Sequence, residues 1–118
     1  MHKSLACLGL AMLALSVLLG CGASPGSSAN RADSALRSAS PDVKAGWEKA
    51  KAAIAVNDYV TATTNLQNLF AAPGLTPEQK QAIQQTATAV SDQLYAAANR
   101  GDPAAKQAIQ DLRKLSAR

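Results

Sequence analysis

The sequence predicts an all-α protein: four short helices forming two antiparallel αα-hairpins, tetratricopeptide-like or a small bundle, after a disordered tether. Three observations carry that prediction. From residue 43 onward apolar residues recur at spacings of three and four, the period of a helix with one buried face. Helix-capping side chains stand at Ser40, Asp58, Thr76 and Asp102, three of them directly before a proline. No stretch alternates with period two long enough to form a sheet.

The first helix starts at Ser40-Pro41-Asp42, a capping hydroxyl, a proline at the first helical position and an acid in the positive first turn. Its inward stripe is Val43, Trp47, Ala50 and Ile54, and Asn57-Asp58 interrupts it. The second helix, capped by Asp58, turns Tyr59, Ala62, Thr63, Leu66, Leu69 and Phe70 inward and stops at Pro73-Gly74. Thr76-Pro77-Glu78-Gln79 reads as a capping box opening the third, whose stripe is Ile83, Ala87, Val90, Leu94 and Ala97. Gly101 suits the position just past its end. Asp102-Pro103 opens the fourth, with Ala105, Ala108, Ile109, Leu112 and Leu115 inward and an Asp102–Lys106 ion pair expected along one face.

Short connections imply antiparallel neighbours. Alanine dominates the inward positions, so the helices should approach closely, with Trp47, Tyr59, Phe70 and Tyr95 supplying much of the buried volume. So small a core is expected to be only marginally stable alone, and oligomerisation or a partner would help.

Residues 22–39 (GASPGSSANRADSALRSA) are rich in Ser, Gly and Ala without a sustained apolar pattern, and read as a flexible tether. Such a stretch would have an r.m.s. span of about 23 Å. Fully extended it would reach about 60 Å.

The N-terminus has a different character. Met1-His2-Lys3 is basic, and Leu5 to Leu19 is an apolar run. As a helix it would span about 22 Å, short of the roughly 30 Å hydrocarbon core of a bilayer, which fits an export signal better than a permanent anchor. The run ends in Leu18-Leu19-Gly20-Cys21, which resembles the lipobox of bacterial lipoproteins, with Leu19 a small departure at the tolerant position. That resemblance covers about 22 residues. It implies cleavage between Gly20 and Cys21 and a diacylglycerol thioether on Cys21, the alternative being an ordinary thiol after a conventional leader. Several acyl chains on one residue hold a protein at a membrane where one chain holds it only marginally. Gly22 in place of Asp implies, in a Gram-negative host, the outer membrane facing the periplasm. The expected organisation is therefore a signal peptide over 1–20, a lipidated cysteine and tether over 21–39, and a helical domain over 40–118.

Leader removal takes Cys7 and the sole histidine, His2, with it. The remainder has no free thiol once Cys21 carries lipid, so disulfides, zinc sites of His and Cys, and His-dependent nucleophilic triads are excluded. The net charge of +4 is dispersed, with no basic block and no aromatic stacking array, and nucleic acid is not an expected partner. No phosphate loop or metal motif occurs, and no cofactor is expected.

Trp47, then Asn57-Asp58-Tyr59, Ala62, Leu66 and Pro73-Gly74, resemble a degenerate tetratricopeptide repeat, and Gly101-Asp102-Pro103 with Ala105 echoes the same turn. Ala50 and Lys51 depart from that family's Leu-Gly pair, Ile54 stands where it has Tyr, and the turns are 44 rather than 34 residues apart. The resemblance covers about half the domain and implies a protein-binding scaffold.

Individual residues admit both bland and functional readings. Trp47 suits core packing or a ligand platform, and Tyr59 and Tyr95 suit core-edge positions. Asn65, Gln67, Asn68, Gln79, Gln81, Gln84 and Gln85 form solvated faces or a surface for glycan or extended peptide. Glu48, Asp58, Glu78, Asp92, Asp102 and Asp111 are scattered, whereas glycoside cleavage needs two converging carboxylates. The expected function is a non-enzymatic, membrane-anchored envelope lipoprotein mediating protein interaction or accessory assembly. The alternatives are a cell-wall glycan-binding lipoprotein and, behind it, a small envelope enzyme.

Overall fold

The computed structural model describes residues 25–118, and every regular element in it is helical. Five α-helices follow one another: α1 (Pro25–Ala35), α2 (Pro41–Ala55), α3 (Tyr59–Phe70), α4 (Pro77–Asn99) and α5 (Pro103–Ser116), with a 3-10 turn (Leu36–Ser38) after α1. The signal segment, Gly20, Cys21 and Gly22 lie outside the described residues.

The four expected starts are realised by the expected side chains. Ser40 accepts from the Val43 amide at the head of α2, Asp58 from Thr61 at α3, and Asp102 from Ala104 at α5. At α4 the capping box is complete: the Gln79 amide donates to the Thr76 hydroxyl, and the Thr76 amide to Gln79 Oε1. Each satisfies a donor that the helix itself leaves orphaned.

Two helix ends share one geometry. After α2, Asn57 adopts φ 58°, and the Asn57 and Asp58 amides donate back to Ile54 and Ala53. After α4, Gly101 adopts φ 92°, and the Gly101 and Asp102 amides donate back to Ala98 and Ala97. Both are Schellman closures. In each, the aspartate that ends one helix caps the next, so the connection is as short as backbone geometry permits.

The longest helix, α4, is the hub. It packs against α1, α3 and α5, while α2 packs mainly on α3. Helices α2 and α3 run antiparallel, Gly46 lying opposite Leu69 at one end and Ala53 beside Tyr59 and Ala62 at the other. Their approach is close enough that a Cβ on Gly46 would meet Leu69 Cδ2 at 2.9 Å. The core joins Val43, Trp47, Ala50, Ala53, Tyr59, Ala62, Leu66, Leu69, Ile83, Val90, Leu94, Ala97, Ala105 and Ala108, all buried.

The main correction concerns the expected tether. Residues 25–38 are helical and docked: Ala29, Ala32 and Leu36 are buried in the same core. The helix count over the described residues is therefore five, not four. The reason lies in α4, which carries a second inward face of small residues, Ala82, Thr86 and Ala89, beside the expected stripe. An Ala-based stripe on α1 fits that face, so burial comes from close approach of small side chains rather than from bulky groups.

Other expectations also change. Phe70 and Tyr95 are 43% and 54% exposed, so of the four aromatics only Trp47 and Tyr59 belong to the core. Leu115 is 46% exposed, so the inward stripe of α5 ends at Leu112. Asp102 does not pair with Lys106: its carboxylate is held by the Ala104 amide, and the ion pairs among the described residues are made by Lys51. No described helix is long and apolar enough to cross a membrane.

Candidate functional site

The densest group of interacting charged and polar side chains lies where α1 crosses α2. Asp33 on α1 faces Trp47, Glu48 and Lys51 on α2, the last three within just over one helical turn of one another. The Trp47 indole Nε1–H donates to Asp33 Oδ1 at 2.6 Å, and Lys51 Nζ sits 2.9 Å from the same oxygen. Lys51 also pairs with Glu48 Oε1 at 2.9 Å, one turn back on its own helix.

The electrostatics follow from these contacts. The indole hydrogen bond is the largest influence and holds the Asp33 carboxyl below its ordinary range; desolvation opposes it, and Lys51 and then Arg37 add to the lowering. Glu48 and then Asp33 push the Lys51 ammonium up. Both groups stay ionised at neutral pH. Their partners are already engaged with one another, so the cluster works as a clasp between α1 and α2.

Gln79 makes a second fastening of α1. Its Nε2 donates to the Ala35 carbonyl at 3.2 Å and to Ser38 Oγ at 3.5 Å, while its Oε1 stays in the capping box. Gln79 is thereby buried, which removes it from the amide surface read from the sequence; Gln81, Gln84 and Gln85 are exposed. One amide thus caps the head of α4 and the tail of α1.

Sequence reasoning missed Asp33 and Lys51 altogether. Asp33 falls within the stretch whose composition reads as a tether, and no local pattern pairs it with a tryptophan 14 residues away. The available signal was the run Ala29, Ala32, Leu36, a helical stripe one turn from Asp33.

The other acids stay apart. Asp58 and Asp102 cap helices, Glu78 lies in the first turn of α4, and Asp111 accepts from Gln107 at 2.9 Å. Asp92 lines a shallow groove between α1 and α4 together with Ser28 and Arg31. Among the described residues no three His, Cys, Asp or Glu side chains gather as metal ligands. Every buried side-chain polar atom among them has a hydrogen-bond partner.

Open grooves also run along the helix pairs. A groove of about 330 Å³ between α2 and α3 is lined by Asp42, Lys49, Asn65, Asn68 and apolar Val43 and Leu69, its floor opened by Gly46. At the α4–α5 edge, Tyr95, Ile109, Leu112 and Arg113 line a second depression of about 400 Å³. No family model, curated protein or solved structure matches the chain.

Proposed function

We propose that this chain is a lipid-anchored protein of the bacterial cell envelope, with a helical domain serving as a non-enzymatic interaction or accessory-assembly module. The observation that carries the reading is Leu18-Leu19-Gly20-Cys21 at the end of a basic-then-apolar leader. In this reading the leader is cut before Cys21, the thioether lipid forms there, and a diderm host sorts the protein to the outer membrane facing the periplasm.

The interaction role is supported by the kind of surface the domain offers. Five of its eight acids serve in caps, the α1–α2 clasp and a local bond, while its grooves lie open along helix pairs. The α2–α3 and α4–α5 pairs are read as degenerate tetratricopeptide-like hairpins, a reading supported by the matching Asn57-Asp58 and Gly101-Asp102 turns.

Metabolic labelling with an alkyne fatty acid tests the anchor. Incorporation into the wild-type chain and its loss in Cys21→Ala is the expected result, and equal labelling of both sinks it. The α2–α3 groove favours a second reading, attachment to cell-wall glycan, because Asn65, Asn68, Lys49 and Asp42 offer both donors and acceptors there. Co-sedimentation with purified peptidoglycan, compared between wild type and an Asn65→Ala/Asn68→Ala double variant, decides it; no sedimentation of the wild type removes that reading.

A further inference from the structure

Helix α5 has the most amphipathic residue pattern of the five described helices. Ala105 and Ala108 are buried, Ile109 and Leu112 are half-covered, and Leu115 is exposed on the same stripe. Tyr95 of α4, also exposed, continues that apolar strip across the helix boundary. The flank carries a positive charge, Arg113, which lines the depression.

The entry point of the chain lies close to this strip. Ala35 at the end of α1 bonds Gln79 at the start of α4, and Ser28 near the start of α1 shares a groove with Asp92. Helix α1 therefore runs antiparallel to α4, and its first turn reaches the level of residue 92. Tyr95 is one turn further along α4 and meets the last turns of α5. The start of α1 and the uncovered end of α5 thus converge on one short stretch of α4.

Because α1 begins at Pro25, the chain between Cys21 and the fold is not the long tether that composition suggested. Four residue steps span at most about 14 Å. On the lipid-anchor reading, that holds the end of the domain carrying Tyr95 and Leu115 against the bilayer.

We propose that the strip formed by Tyr95, Ile109, Leu112 and Leu115 docks on the surface of the membrane that holds the chain's own lipid, with Arg113 on an anionic phosphate. This rests on the lipid-anchor reading. An amphipathic helix with a basic flank settles at the boundary between headgroups and acyl chains, and tyrosine favours that depth. So narrow a strip binds a bilayer weakly by itself. A short link to an anchored residue makes the contact intramolecular, at an effective concentration in the millimolar range, and a weak contact is then occupied. The domain lies down on the bilayer, leaving the α2–α3 face open to the envelope.

The experiment uses the lipidated chain in vesicles of phosphatidylglycerol and phosphatidylethanolamine. With Cys21 blocked by lipid and Cys7 removed with the leader, Ser116→Cys introduces a single thiol for an environment-sensitive fluorophore. Glu78→Cys, exposed at the opposite end of α4, is the reference site. Doxyl-labelled lipid is expected to quench the probe at 116 several-fold more than at 78. Tyr95→Gln with Leu115→Gln, both about half-exposed and so tolerable to the fold, is expected to abolish the difference while the vesicles still float the chain. Flotation with equal quenching at both sites overturns the docking and leaves the anchor standing. A blue-shifted probe at 116 that doxyl lipid fails to quench assigns the strip to a second copy, and also overturns it. Failure to float, with label appearing on Cys21, overturns the anchor reading and the docking together.

Discussion

The indole of Trp47 is buried to 3% exposure, yet its Nε1–H ends 2.6 Å from the Asp33 carboxylate, on a helix that composition assigns to a linker. One side chain thus fills the core and fastens the first helix to the second. Removing Asp33 strands the indole donor and frees Lys51 from its inter-helix partner. Asp33→Ala is expected to cost about 1–2 kcal/mol, the lower part of the range for a charged hydrogen bond, because the carboxylate is 40% exposed. The chain has one tryptophan, so a red shift of its emission and a lower urea midpoint at unchanged slope report the loss directly.

The same contact fixes a pH dependence. Asp33 has a folded-state pKa below its unfolded value, so its contribution is complete above the ordinary carboxylate range and declines below it. It is lost once the pH falls beneath the folded pKa. Trp47 emission should therefore shift in acid, at a pH below that of an unperturbed aspartate near 3.9. Asp33→Asn should remove that shift; an identical acid transition in the variant would assign it to another carboxylate.

Leu36 discriminates between a docked helix and a tether. At 2% exposure it is among the largest fully enclosed side chains, and Leu36→Ala should cost about 2–4 kcal/mol through the cavity it leaves. A truly free linker residue would show no change in thermal midpoint on the same substitution.

Gln79 separates its two duties by substitution. Gln79→Glu keeps an acceptor for the Thr76 amide but sets a carboxylate against the Ala35 carbonyl. Amide exchange in α1 should then accelerate while the head of α4 stays protected. Gln79→Ala should loosen both, at about 1–2 kcal/mol.

The two Schellman closures differ in their residue and hence in their tolerance. Asn57→Gly should be neutral or slightly stabilising at φ 58°, whereas Gly101→Ala at φ 92° should cost about 1–2 kcal/mol. Thermal denaturation of the two variants side by side tests the contrast.

The sequence by itself determined the helical class, the four starts from Ser40 onward and the two Asp-containing turns, because caps and closures depend on residues a few positions apart. The fate of residues 25–38 was decided by tertiary structure. Ala29, Ala32 and Leu36 form too weak a stripe to announce a helix, and they gain burial only when α1 docks on α4 and the 3-10 turn packs on α2. Asp33 and Gln79 likewise acquire their roles from partners 14 and 44 residues away. Tyr95 and Leu115 stay outside the core, which the periodicity of their helices alone does not show.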